Sequence, residues 1–345
     1  MNPLDDPAPG AQVAVVAVAS NEAPYLHEFV AHALHAGFAR VHLMTNNSTD
    51  GTHAIAARIA DAVPKVTAQD VDAHRRKNGE HSLQTRAYNV ALRSLLKEGG
   101  LDYVMPLDID EYWVGGPAGA LIGPHLDALG RPEAVAYNWA VARDDDAPFT
   151  AQTEVRTASV AQPLKTATRT DLPDLKLRVH HAVSSAPFRT HVASGRPFET
   201  TPDGREIRDR TRGRHTALPG QFVLHRPDRS AMEYVAAIAR GSAHRAGETF
   251  KRNRRGYRSY DRLPAHPIPG AAEVGAAVAR TRDALVLRCG LSGAIVAGRR
   301  HLRRRAAEVA RTLLGLDGTG RDAISPSFAG LTEAMLRQIA RGAGG

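Results

Sequence analysis

"AQVAVVAVAS", residues 11–20, is an uninterrupted apolar run with Pro9-Gly10 before it and Asn21-Glu22-Ala23-Pro24 after it. Its length and its four valines favour a strand buried on both faces of a sheet over a helix. Working outward, residues 25–36 place Leu26, Phe29, Val30, Ala33 and Leu34 on one stripe ending at Gly37, the pattern of an amphipathic helix with a glycine stop. "RVHLMTN" (40–46) reads as the second strand and Thr49 to Ala62 as the second helix, with Ser48, Thr49 and Asp50 as capping candidates. "KVTAQDVD" (65–72) follows as a third strand, then a helix from Ser82 to the Gly99-Gly100 stop, then "YVMPLDID" (103–110) as a fourth strand. This alternation predicts an α/β fold on an open, mostly parallel sheet, whose ligands bind beyond the carboxyl ends of the strands.

Beyond Glu133 the rhythm loosens. "AVAYNWAVA" (134–142) reads as a fifth strand, residues 150–220 as an irregular β-containing lobe, and helices resume over 230–246, 271–286 and 294–314. The chain has 345 residues, 43% of them hydrophobic, ample for one sizeable core with extensions. Cys289 is the single cysteine, the first residues lack the positive charges of a secretory leader, and charge or Pro/Gly interrupts every apolar run short of a membrane span. These features point to the cytoplasm. The net charge of +9 invites polyanions, but aromatic residues make up only 5% of the chain and no nucleic-acid-binding signature appears, so nucleic acid is not expected as a partner.

Chemistry gathers where strands end. In "MPLDIDEYW" (105–113), a strand carried through to Asp110 would project Asp108 and Asp110 to the same side, with Ile109 pointing to the core. Two such carboxylates suit a hard cation, Mg2+ or Mn2+, although a solvated acidic strand end looks the same. In "NNSTDGT" (46–52), Asp50 either accepts hydrogen bonds from a ribose or base, or caps its helix and closes the turn with Gly51. Ser20-Asn21-Glu22 lies on the same edge, as a third polar cluster or as a helix start before Pro24.

These stretches, in this order and spacing, resemble the family-2-like glycosyltransferases of GT-A fold, in particular the bacterial branch related to family 92. The resemblance covers residues 11 to about 115 and carries the N-E segment, the N-N-S-T-D-G-T turn and the D-I-D-E-Y element. Downstream, "HRPDRSAMEYVAAIARG" (225–241) is similar to a further segment through His225, Arg229-Ser230 and Arg240-Gly241; a lysine often found there is missing, and Arg143 to Asp146 replace a Gly/Ser-rich turn.

The resemblance implies a GT-A-like nucleotide-sugar-binding domain over 11–265, with a nucleotide half (11–130) and an acceptor half (131–265). A tail (1–10) precedes it and a basic helical C-terminal extension (266–345) follows. It implies metal-dependent transfer of a sugar from a nucleotide-diphosphate donor to a glycan or lipid-linked acceptor, with inversion. Ser20, Asn21, Glu22, Asn47, Asp50, Arg86 and Asp108 would contact the nucleotide, and Asp108, Asp110 and His225 would hold Mn2+ or Mg2+. Arg86 reads also, and more simply, as a solvent-facing helix arginine, and His225 also as a hydrogen-bonded structural histidine. The candidate catalytic groups are His181, as base, and Glu111, which could instead order the loop behind the metal ligands. His180, Asp144 to Asp146, Glu199 and Asp203 compete for the role of base. A sugar-phosphate nucleotidyltransferase is the enzymatic rival, though Asn21-Glu22-Ala23-Pro24 stands where its Gly-rich basic loop belongs; a degenerate, non-catalytic transferase is the other. Finally, 298–316 holds six arginines between 299 and 311 on one predicted helix, which offers a peripheral contact with the inner membrane face or simply a solvated surface, since the arginines do not all share one face.

Overall fold

A computed structural model describes residues 2–72, 83–116, 119–143, 146–198, 217–238, 255–316 and 326–342. The first half runs β1 (Val13–Ala19), α1 (Leu26–His35), β2 (Arg40–Thr45), α2 (Thr52–Ala62), β3 (Val66–Asp70), α3 (Leu83–Glu98), β4 (Tyr103–Asp108), β5 (Glu111–Val114) and α4 (Ile122–Ala128). The second half runs β6 (Ala134–Ala142), β7 (Thr157–Arg169), β8 (Lys176–Leu177), β9 (Ala182–Val183), β10 (Thr190–Val192), β11 (Pro197–Phe198), β12 (Phe222–His225), α5 (Ala231–Ile238) and β13 (His266–Pro267). Helices α6 (Ala271–Arg288), α7 (Ser292–Leu314) and α8 (Glu333–Arg341) follow.

Eleven of the strands form one mixed, mostly parallel sheet in the order β11-β10-β6-β7-β4-β1-β2-β3, with β12 also pairing β6, β5 pairing β12 and β13 pairing β7, while β8 and β9 pair apart from it. Strands β3, β2, β1 and β4 are parallel, β7 runs against its neighbours β4 and β6, and β12 is again parallel to β6. The period-two geometry of a strand explains how β1 serves both faces: Val13, Val15 and Ala17 enter the larger core with α1, α2, α6 and α7, while Ala14 and Val16 enter the smaller core with α3. The chain turns from α1 into β2 through Gly37 at φ +85°, where Phe38 N–H donates to Ala33 O and Gly37 N–H to Leu34 O, a left-handed helix stop that glycine adopts without steric cost.

Two expectations are corrected. Residues 157–169, assigned from sequence to an irregular lobe, form a central strand. Pro163 and the scattered polar residues mask its apolar pattern, and a register shift opposite Asn138/Trp139 absorbs the proline. The fourth strand stops at Asp108, and Ile109 and Asp110 form the turn into β5. The alternation that would aim Asp108 and Asp110 together therefore does not apply, although Ile109 is buried as expected.

Helices α6 and α7 share the main core through Leu285, Ile295, Leu302 and Ala306, with Leu291 between the two helices. α7 leans on the β1–α1 loop, where a Cβ built on Gly298 would lie 2.8 Å from the Ala23 Cβ. No described helix is long and apolar enough to cross a membrane. Gly298→Val should lower unfolding free energy by about 1–3 kcal/mol, because a side chain there must displace packed backbone; urea denaturation measures it, and an unchanged midpoint would contradict this packing.

Candidate active site

The polar turn 46–52 binds the loop after β1. Asp50 is buried and accepts from Ala23 N–H (2.9 Å) through one oxygen and from Thr52 N–H (3.0 Å) and Thr52 Oγ1 (2.6 Å) through the other. Asn21, at φ +53°, accepts through Oδ1 from Thr49 N–H (2.8 Å), while its own N–H donates to Ser48 Oγ (3.1 Å). Glu22 N–H donates to Thr52 Oγ1 (2.8 Å). Serine, threonine, asparagine and aspartate suit this task because short polar side chains satisfy nearby backbone groups without regular structure. Of the two readings of Asp50, the capping and turn-closing contacts are present. Asn47 N–H donates to Asp72 Oδ1 (2.7 Å).

The acidic element is built around a buried cation that sequence reasoning missed. Lys165, from the centre of β7, is fully buried; its ammonium lies 2.8 Å from Glu111 Oε2 and 3.4 Å from Asp108 Oδ2, and donates to Val179 O at 2.9 Å. Glu111 is also fully buried, and the oxygen facing Lys165 accepts from Asp108 N–H at 2.8 Å, closing the turn 108–111. Asp108 Oδ1 accepts from Gln84 Nε2 and from Tyr88 Oη (3.0 Å). Burial pushes the Glu111 carboxyl up to about 7, against the pull of Lys165. Burial also works against the Lys165 ammonium, but Asp108 and Glu111 outweigh it and hold its pKa above the usual lysine value.

Asp110 faces elsewhere. His225, at the end of β12, pairs in register with Glu111 across β5, and its Nε2 stands 3.7 Å from Asp110 Oδ2. The Arg226 N–H donates to Asp110 O at 2.9 Å, which fixes the turn against β12. The His225 ring lies 4.1 Å from that of Trp139, whose ring is 5.2 Å from that of His180. Asp108, Asp110 and His225 thus meet around one turn but do not form a three-ligand cluster: Asp108 faces Lys165, Gln84 and Tyr88, and Asp110 faces His225. Asp110 Oδ2 and His225 Nε2 are too far apart for a good hydrogen bond, and one carboxylate oxygen with one imidazole nitrogen is a donor set that fits a divalent ion of mixed O and N ligation such as Mn2+ better than Mg2+.

Among the described residues, the one group of three metal-type side chains with ligand atoms within 4.8 Å of each other is His53, Asp70 and Asp72, at the end of β3. Its sequence signal, Asp70-Val71-Asp72, has the spacing of Asp108-Ile109-Asp110. Protein contacts already use it: His53 Nδ1 is 2.8 Å from Thr45 Oγ1, Asp72 Oδ1 accepts from Asn47, and Asp70 Oδ1 accepts from Asp72 N–H at 2.9 Å.

Glu22 Oε2 lies 3.5 Å from Arg229 Nη1, and the Arg229 guanidinium sits 3.5 Å from the centre of the Tyr25 ring. Tyr25 Oη donates to Glu233 Oε1 at 2.5 Å, and Ser230 and Glu233 cap α5 reciprocally, with Ser230 N–H donating to Glu233 Oε2 and Glu233 N–H to Ser230 Oγ. The S-A-M-E spacing at 230–233 carried that signal. Ser20 is half-buried at the end of β1. Arg86 is half-buried on α3, with its Nε enclosed and without a hydrogen-bond partner among the described residues. His181 is buried beside the β8–β9 turn, and its neighbour His180 is the histidine placed against Trp139. Asp144, Asp145, Glu199, Asp203 and Arg240-Gly241 lie outside the described residues. On α7, Arg300, Arg303, Arg304 and Arg311 are exposed, and their spacing places these four within an arc of about 100°.

No family model matches this chain, and no curated protein matches it. Among solved structures, a mannosyltransferase from Pyrobaculum calidifontis, PcManGT, in complex with GDP-Man and Mn2+, aligns with 99% of this chain and 91% of its own at 17% identity, with a TM-score of 0.33. That score is too low to assign a shared architecture, so the α/β description rests on the chain's own sheet.

Lys165→Met should cost about 3–5 kcal/mol at neutral pH by leaving Glu111 buried and unpaired. The cost should shrink toward pH 5, where the raised Glu111 carboxyl takes up a proton; equal costs at both pH values in chemical denaturation would contradict the ion pair. Asp50→Ala should destabilise by about 1–3 kcal/mol, since it strands Ala23 and Thr52 donors; a loss below a few tenths of a kcal/mol would show the loop contacts to be dispensable.

Proposed function

We propose that this chain is a metal-dependent glycosyltransferase that moves a sugar from a nucleotide-diphosphate donor to a glycan or lipid-linked acceptor, with inversion. The observation that carries the reading is the placement of Asp110 and His225 side by side at the carboxyl edge of a mostly parallel sheet, beside Asp108 and the two stitched loops after β1 and β2. Ligands of open α/β sheets bind at that edge. The motif order and spacing of residues 11–115 agree with it.

Asp110 and His225 would hold Mn2+ or Mg2+, which when bound would neutralise charge building on the leaving diphosphate. The protein's own part is positioning. Lys165 and Glu111 hold the turn so that Asp110 presents its carboxylate to His225 rather than to the core. Asp108, with its side chain 30% exposed, keeps an edge available to the nucleotide while Gln84 and Tyr88 fix its rotamer. Asn21, Glu22 and Asn47 would line the nucleotide side, and Asp50 would shape that side by holding its loops. The exposed α7 arginines Arg300, Arg304 and Arg311 would rest on anionic lipid where the acceptor is lipid-linked.

With a responsive donor found by thermal shift among UDP-, GDP-, CMP- and dTDP-sugars plus Mn2+, Asp110→Ala and His225→Ala should each lower transfer at least roughly a hundredfold, as loss of a preorganised charge-stabilising group does, with unchanged melting temperature in the absence of metal and donor. Full transfer in EDTA, or full activity in both variants, would defeat the proposal.

A further inference from the structure

Arg229 does more than its contacts explain. It is nine-tenths buried, yet its Nε and Nη2 have no hydrogen-bond partner among the described residues, and its nearest carboxylate, Glu22, is 3.5 Å away. Buried guanidinium donors without acceptors are costly, and a chain retains them where something else completes them. The backbone adds to the cost: Arg229 sits at φ +52°, a left-handed conformation that a long side chain rarely adopts without surrounding constraint. The constraint is visible in the Tyr25 ring beneath the guanidinium and in the Ser230–Glu233 cap that follows.

A second, independent feature lies next to it. Phe149 is 6.4 Å from Tyr25, and two arginines of α7, Arg299 and Arg303, place their guanidinium groups 5.2 and 5.1 Å from the centre of its ring. Phe149 is itself held at φ +62°, with its N–H donating to Glu233 Oε2 at 3.2 Å, and Arg299 Nε is again buried without a hydrogen-bond partner among the described residues. Three arginines therefore flank one aromatic pair, and Glu233, the carboxylate nearest that pair, is already used by Tyr25, Ser230 and Phe149. Guanidinium groups in such a setting match the oxygens of a phosphate, which accept several N–H donors at once.

The geometry points to a phosphate-type anion subsite formed by Arg229, Arg299 and Arg303 around Tyr25 and Phe149, where α5 and α7 pack together, with none of its three arginines drawn from the proposed metal ligands Asp110 and His225. The anion belongs either to the donor diphosphate or to a phosphorylated acceptor. Glu22 would yield Arg229 to it on binding. This deepens the glycosyltransferase reading, on which the choice between donor and acceptor rests, whereas the subsite itself does not need a metal.

Calorimetric titration of the full chain with inorganic pyrophosphate, without metal, tests it. Wild-type protein should bind, and the Arg299→Gln/Arg303→Gln double variant, altered only on α7, should bind roughly tenfold more weakly, the loss expected for charge-assisted hydrogen bonds. Arg229→Gln should lose a similar factor, with Arg229→Lys, which keeps the charge, falling between. Pyrophosphate binding that is absent, or unchanged in the double variant, overturns the subsite. Repeating the titration with saturating nucleoside diphosphate and Mn2+ assigns the source: competition gives the subsite to the donor, and undiminished binding gives it to the acceptor. Asp110→Ala should retain pyrophosphate binding, so a failure of the metal reading, seen as no Mn2+-dependent nucleotide binding, is distinct from a failure of the arginine subsite.

Discussion

A buried ammonium on the central antiparallel strand determines the shape of the candidate site. Lys165 reaches from β7 to Glu111 and Asp108, and Glu111 in turn receives the Asp108 N–H, so one side chain sets the turn from which Asp110 emerges. A solvated acidic turn would be free to splay, because like charges repel and water satisfies each carboxylate separately. Here burial removes water from Glu111 and Lys165, the ion pair replaces it, and the turn so held leaves Asp110 beside His225. Truncating either partner would leave an uncompensated charge in the core, which is why the arrangement behaves as a unit.

The second constraint is a polar seam rather than a pair of charges. Asp50, Asn21, Ser48 and Thr52 join the loops after β1 and β2, and α7 presses on the same β1–α1 loop at Gly298. The basic helix at the C-terminal end is therefore part of the wall around the site. Through Phe149 and Tyr25 its arginines connect to Arg229, which carries the same wall toward Asp110.

Much of the first hundred residues was legible because each element there carries its own signal. The valine run of β1 reads as a two-faced strand, the stripe from Leu26 to Leu34 as a helix, and Gly37 as its stop. The acidic turn was located but not aimed: alternation assigned Asp108 and Asp110 to one side, whereas the strand ends at Asp108 and the next two residues turn. Lys165 was invisible because a lysine among threonines and alanines reads as solvated; its burial follows from β7 lying between β4 and β6, a tertiary fact that local pattern does not contain. Arg229 was noticed through its motif, but its strained backbone and its unmatched donors belong to the packing of Tyr25 and α5 and leave no trace in spacing.

The central claim is that Asp110 and His225 share a bound cation at the nucleotide edge of the sheet. Anomalous diffraction at the manganese edge, from crystals grown with Mn2+ and a nucleoside diphosphate, tests it most directly. A peak between Asp110 Oδ2 and His225 Nε2, with the diphosphate against it, is the expected result. A peak confined to His53, Asp70 and Asp72, or nucleotide bound with no ion near Asp110, would contradict it.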